Sequence, residues 1–257
     1  MCLAMELEGK VAIVTGGNSG IGRAISEVFA REKAHVMIGA RNVETGNQTV
    51  QAIQKKGGTA AFVRTDVQDN AQVKRLVEEA VARYGTVDIV CHSAGTELVK
   101  LLVDTTEEEW DMVMNTNAKG AYLVSKYALP YMIAKRKGVI INISSQLGLV
   151  GFERFSAYCA SKGAIIQLTK AMALEYARYG IRVNCVCPGA IDTPMVEREL
   201  AHFQNRAETM TKVIADHPIG RIGKPEEVAE AVLFLASERS SFIIGESLIV
   251  DGGYITK

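Results

Sequence analysis

The chain has 257 residues, 48% of them hydrophobic, which is enough for one sizeable core. Lysine plus arginine balances aspartate plus glutamate at 29 each, so no overall field draws it to nucleic acid or an anionic membrane. No signal peptide or membrane-spanning apolar run is read, and neither the cysteines (Cys2, Cys91, Cys159, Cys185, Cys187) nor the four scattered histidines have disulfide or metal-ligand spacing. The expectation is a soluble cytoplasmic protein with reduced thiols and no metal.

Strands and helices alternate along the chain. An apolar strand over Lys10–Thr15 leads into a glycine turn and a helix from Ile21 to Arg31. Strand His35–Gly39, a polar helix near Val43–Lys56, strand Ala60–Arg64, helix Ala71–Tyr84 and strand Ile89–His92 follow. A helical region from Glu107 to Lys135 contains Pro130, which should end or kink it. Strand Val139–Ser144 precedes a long helix, Ser156–Tyr179, closed by Gly180 as a C-terminal cap. Strand Arg182–Cys187, with its two cysteines on one face, runs into Pro188-Gly189. A mixed segment, Thr193–His217, precedes helix Pro225–Leu235, strand Ser247–Val250 and a turn at Gly252-Gly253. Repeated βα units with continuous apolar strands predict an α/β protein: one doubly wound, Rossmann-type domain over 1–257, with a parallel sheet, helices on both faces and 193–217 as a helical substrate flap.

The turn reads Thr15-Gly16-Gly17-Asn18-Ser19-Gly20-Ile21-Gly22 and joins the first strand directly to the first helix. Such a turn leaves room for a diphosphate and aims helix N–H groups at it, so a dinucleotide is predicted there. An acid ending the second strand would bind the adenosine ribose of NAD. Here Ala40 occupies that position and Arg41 follows, with Asn42 next. A guanidinium forks onto a phosphate, which favours NADP(H); the turn has no second cation, so NAD(H) remains possible.

Tyr158 and Lys162 lie one helical turn apart on one face, and Ser145 ends the preceding strand. Together they outline a site that moves a proton and a hydride. The Tyr-x-x-x-Lys spacing alone says little, because Tyr122 with Lys126 and Tyr131 with Lys135 repeat it.

With these motifs the chain resembles, over essentially its whole length, the classical short-chain dehydrogenase/reductase family. The resemblance rests on Thr15–Gly22, Asp66-Val67, Ala94-Gly95, Asn117, Ser145, Tyr158-x-x-x-Lys162 and Pro188-Gly189-x-Ile191-x-Thr193, in this order. It also separates the three pairs: only Tyr158 has a serine thirteen positions upstream, where Tyr131 has Ala118 and Tyr122 has Glu109. One departure is His92-Ser93 where the family has two asparagines; a strand-end histidine packed or bonded to backbone is expected, and not a catalytic one.

The resemblance implies that Tyr158 is the general acid in ketone reduction and the general base in alcohol oxidation. Lys162 would lower the phenol's pKa and hold nicotinamide ribose hydroxyls, Ser145 would hold the substrate oxygen, and Asn117 would bind backbone and a proton-relay water. Gly16, Asn18, Ser19, Gly20, Ile21 and Gly22 would cradle the dinucleotide, with Arg41 and Asn42 near its adenosine. Asp66 and Val67 would meet the adenine, while Ala94, Gly95, Pro188, Gly189, Ile191 and Thr193 line the nicotinamide side. Thr96, Gln146, Leu147, Phe152, Phe155, Met195 and Val196 are the candidate substrate contacts. The leading function is an NADP(H)-preferring oxidoreductase (alcohol dehydrogenase or carbonyl reductase) acting on a small ketone or secondary alcohol. Competing readings are a 3-oxoacyl thioester reductase, a non-catalytic NADP(H) sensor and a sugar-nucleotide epimerase or dehydratase. The last would need a larger C-terminal domain than the sixty or so residues after Thr193. With the family's habit, the long helices over Glu107–Lys135 and Ser156–Tyr179 suggest a homotetramer.

Overall fold

The computed structural model describes residues 5–256; Cys2 lies outside them. Within this range seven strands form one all-parallel sheet: β1 (Val11–Thr15), β2 (His35–Ala40), β3 (Thr59–Arg64), β4 (Ile89–His92), β5 (Gly138–Ile143), β6 (Ile181–Pro188) and β7 (Ser247–Val250), in the spatial order β3-β2-β1-β4-β5-β6-β7. The order reverses between β1 and β4, the switch point where α/β sheets open a crevice. Paired residues Thr15↔Gly39, Thr15↔His92 and His92↔Asn142 put these strand ends level, so the loops after them converge.

The apolar strands are continuous because both faces are covered. Alternation divides β1: Ala12 and Val14 pack with α1 (Gly20–Arg31), α2 (Val43–Lys55) and α9 (Pro225–Ala236). Ile13 packs with α3 (Asn70–Tyr84), α5 (Gly120–Lys135) and α6 (Ser156–Tyr176) on the other face. Local chemistry sets the helix ends. Asp69 caps α3 by accepting from the N–H groups of Ala71 and Gln72, at 2.8 and 3.1 Å. Thr106 and Glu109 form a reciprocal capping box on α4 (Glu107–Met114). Cys185 and Cys187 share the face of β6 that meets Ile166.

Two expectations for the long helices change. Pro130 does not end α5, which runs through it to Lys135. Pro130 and Lys126 are both exposed, so the carbonyl that proline leaves unpaired faces solvent. The break comes instead at Asn115–Lys119, a π-helical turn between α4 and α5. Likewise α6 stops at Tyr176, and a 3₁₀ turn over Ala177–Tyr179 precedes Gly180 at φ +70°. The mixed segment after Thr193 contains two short helices, α7 (Pro194–Leu200) and α8 (Arg206–Ala215).

Candidate active site

The loops after β1 to β6 line a cavity of about 600 Å³. It gathers Ser145, Tyr158 and Lys162, together with Gly16 and Asn18 to Gly22 of the glycine turn, every adenosine-side and nicotinamide-side residue named from the sequence, and all seven candidate substrate contacts. Asn117 is the exception: it is fully buried behind the wall. Of the other two Tyr/Lys pairs, Tyr122 and Tyr131 are exposed on α5. Lys126 lies 5.7 Å from the Tyr122 ring centroid, and Lys135 binds Asp88, Thr86 and the Val87 carbonyl.

The glycine turn fits a dinucleotide on its own geometry. Gly16 has φ +66°, and a Cβ there would stand 2.8 Å from Ala94 Cα. A Cβ at Gly22 would stand 2.2 Å from the Gly16 carbonyl oxygen, so neither position admits a side chain. Ser19 precedes α1 in extended conformation without capping it, and the first turn of α1 has no acid. Its free N–H groups and positive dipole end therefore suit a phosphate. Ala40 ends β2 without a carboxylate; Arg41 beyond it is exposed and makes no ion pair with the described residues. Asn42 caps α2 by accepting from Thr45 N–H at 3.1 Å, and one Asp66 oxygen accepts from Gln68 N–H at 3.0 Å. The Thr193 hydroxyl donates to the Ile191 carbonyl at 3.1 Å, which leaves its oxygen free to accept.

Behind the chemistry runs a chain of buried hydrogen bonds with one consistent proton assignment. His92 is fully buried; its Nε2 stands 3.1 Å from the Asn117 carbonyl and its Nδ1 2.9 Å from Thr15 Oγ1. A carbonyl can only accept, so Nε2 carries the proton and Nδ1 accepts from the threonine hydroxyl. Burial, and then the charge of Lys162, push the imidazole down to about 3, so it stays neutral. Asn117 in turn accepts from Thr96 N–H at 2.8 Å and donates to the Thr96 carbonyl at 2.9 Å and to Ser161 Oγ at 2.8 Å. Ser161 donates to the Tyr158 carbonyl at 2.8 Å. Both amide hydrogens of Asn117 are thus committed to protein groups, and the π turn is tied to α6 beside Tyr158.

Lys162 is 4% exposed and donates to the Ile143 carbonyl at 2.9 Å. Its Nζ lies 5.4 Å from the Tyr158 ring centroid. Burial pulls this amine down to about 8, against raising influences from Cys187, Glu97 and Cys185. Burial also pushes the Tyr158 phenol well above its usual value; a Ser145 hydrogen bond opposes this, while Glu97 and Glu199 add to it. Lys162 is not among the main influences on the phenol, contrary to expectation, and with the protein's own groups alone the phenol holds its proton. Ser145 accepts from Leu147 N–H at 3.1 Å, which aims its hydroxyl.

Sequence reasoning missed several wall residues. Glu97 follows Thr96 directly, and burial raises its carboxyl pKa against the lowering effect of Arg198. Glu199, on α7, is pushed up to about 7 by burial and by Glu97. His217 and Tyr254 close the far end, packed at 5.3 Å between centroids. Glu97 was within reach by extending the Ala94-Gly95-Thr96 motif one residue; the others carry no local signal.

Residues 16–255 match the family model described as enoyl-(acyl carrier protein) reductase. The chain is similar to a 3-oxoacyl-[acyl-carrier-protein] reductase of Thermotoga maritima, 41% identical over 98% of this chain and 100% of the relative. It is also similar to 3beta-hydroxysteroid dehydrogenase 1 of Eggerthella lenta, 39% identical over 96% of this chain and 94% of that one. Among solved structures, a short-chain type dehydrogenase/reductase from Mycobacterium marinum superposes with a TM-score of 0.93 at 34% identity, covering 99% of this chain and 98% of that one.

Proposed function

The chain belongs to the short-chain dehydrogenase/reductase family, and from that premise we propose that it interconverts a ketone and a secondary alcohol, with Tyr158 as general acid and base and NADP(H) preferred over NAD(H). It is an oxidoreductase of the nicotinamide-dependent kind. The observation that carries the finer reading is the Ser145–Tyr158–Lys162 group, with Ser145 and Lys162 buried and Tyr158 part-buried, in a cavity that also takes in an uncapped helix N-terminus. When bound, the dinucleotide supplies the hydride for reduction or takes it up on oxidation.

In reduction, the protonated phenol gives its proton to the carbonyl oxygen, which Ser145 holds beside it. In oxidation the same phenol takes the hydroxyl proton. Lys162 supplies a nearby positive charge that favours the phenolate left after proton transfer, and would hold the dinucleotide's ribose hydroxyls. A side chain at Gly95 would meet Asn117 Oδ1 at 3.4 Å and Lys162 Nζ at 3.5 Å, so this glycine keeps open the space a relay water needs. Asn117 itself acts by position, since its amide hydrogens are committed. Arg41 at the rim and the missing acid at Ala40 support NADP(H). Residues 193–217 act as the substrate flap, which fits Met195, Val213 and His217 facing the cavity. Apolar side chains exposed on the outer faces of α4 to α6, Met112, Tyr122 and Leu174, support a homotetramer. Among the described residues no helix is long and apolar enough to cross a membrane.

A panel of ketones and alcohols followed by NADPH and NADH absorbance tests this. NADPH-dependent turnover of at least one ketone is expected; NADPH binding with no turnover across the panel would make the protein a sensor. The names of the relatives give a reason to include a 3-oxoacyl thioester in the panel.

A further inference from the structure

Two buried polar atoms of the cavity wall are acceptors in need of donors. The Glu97 side chain is only 8% exposed; one of its oxygens lies 3.5 Å from Arg198 Nε. The other, Oε2, is buried with no hydrogen-bond partner among the described residues. In the lining of the same cavity Gln146 Oε1 is buried and equally unpaired. Two orphan acceptors in one wall are costly unless a ligand satisfies them. Arg198 does not serve, because 59% of its side chain faces solvent and the contact is long.

Position points the same way. Glu97 follows Thr96, whose N–H and C=O are both gripped by Asn117, so the carboxylate is mounted on a rigid stretch of backbone. It is close enough to act on the charge states of both Tyr158 and Lys162. A donor meeting Glu97 would therefore sit near the reacting carbon, with Phe155 and Met195 beside the carbon skeleton.

We propose that Glu97, with Gln146, is the specificity wall of this cavity, and that it selects ketones and alcohols carrying a further hydroxyl group beside the reacting carbon over unsubstituted ones of the same skeleton. A plain alkyl ketone or acyl chain brings no donor and would bury both oxygens unpaired. A hydroxyl donates one hydrogen bond, and a site built to receive it rejects the analogue without it. The inference rests on the proposed ketone and alcohol chemistry at Tyr158.

The test is kcat/KM with NADPH for 2-hydroxycyclohexanone and cyclohexanone, in the wild type, Glu97→Gln and Glu97→Leu. NADPH fluorescence titration of each variant checks that the fold and the cofactor end are intact. The wild type should favour the hydroxyketone by roughly tenfold to a hundredfold. Glu97→Leu should raise KM for the hydroxyketone, raise kcat/KM for cyclohexanone and bring the two within about threefold, a factor under the tenfold that one hydrogen bond of about 1.4 kcal/mol supplies. Glu97→Gln keeps an acceptor and should restore most of the preference. Turnover of both ketones by the wild type without preference, or an undiminished preference in Glu97→Leu, overturns this proposal and leaves the reaction assignment standing. Faster turnover of a 3-oxoacyl thioester than of the hydroxyketone also overturns it. Loss of all turnover in the wild type, with NADPH bound, overturns the reaction assignment and this proposal together.

Discussion

Replacing Lys162 with methionine should make the protein more stable at neutral pH while removing its activity. The ammonium is 4% exposed, and burial is the largest influence on it. Holding its pKa near 8 against an ordinary 10.5 costs the charged form about 3 kcal/mol, at about 1.4 kcal/mol per pH unit. Methionine has similar length and no charge to desolvate, but it leaves the Ile143 carbonyl without its donor, at about 1–3 kcal/mol. The net expectation at pH 7 is a gain of about 1 kcal/mol, or about 2–4 °C in Tm.

The sign changes with pH. A lysine whose folded pKa is depressed destabilises fully below that pKa, and the penalty fades as pH rises from about 8 toward 10.5, where the unfolded chain still binds the proton. The advantage of Lys162→Met should therefore shrink by about 1.4 kcal/mol per unit above pH 8 and reverse before pH 10. Urea unfolding at fixed protein concentration, followed through the single tryptophan, Trp110, at pH 7, 8, 9 and 9.5, measures the gap. A variant less stable than wild type at pH 7, or a gap that does not move with pH, would refute the reasoning.

Other outcomes follow from the same geometry. Tyr158→Phe should lower kcat at least a thousandfold with NADPH affinity little changed; near-normal turnover would remove Tyr158 from the chemistry. Arg41→Ala should weaken NADPH by roughly tenfold or more and NADH hardly at all, and equal losses by fluorescence titration would show that Arg41 does not read the phosphate. His92→Leu orphans Thr15 Oγ1 and the Asn117 carbonyl, so unfolding free energy should fall by about 2–4 kcal/mol, with kcat also reduced as Asn117 loses its anchor. Because His92 is held neutral down to about 3, no limb of the pH–rate profile between 5 and 8 should belong to it, and a limb that vanishes in His92→Leu would contradict that. Light scattering should give four times the monomer mass; a monomer would refute the tetramer.

Much of this molecule is written in short-range chemistry. Strand and helix order, the parallel sheet and the glycine turn were legible because each depends on neighbours a few residues away: apolar runs that need two covered faces, and glycines where a Cβ would strike backbone at Gly16 and Gly22. The part of the cavity's lining that follows the strand ends was legible for the same reason, since strand ends at one edge of such a sheet must converge. Pro130 misled because its penalty depends on whether the freed carbonyl meets water, and only packing decides which side of α5 is exposed.

What tertiary structure alone decided is charge state and hydrogen-bond completion. From sequence, Lys162 is a cation that eases the phenol's ionisation; in the fold the desolvation of Tyr158 itself, with Glu97 and Glu199 nearby, leaves the phenol protonated, and burial weakens the basicity of Lys162 as well. Asn117 joins Thr96 to Ser161, 65 positions apart, and Glu97 meets Arg198 across about a hundred residues of chain. Desolvation and pairing depend on everything within a few ångströms in space. No window of sequence contains that neighbourhood, so most cavity-lining positions could be read from the chain, but not Glu97, Glu199, His217 and Tyr254, nor the protons these groups hold.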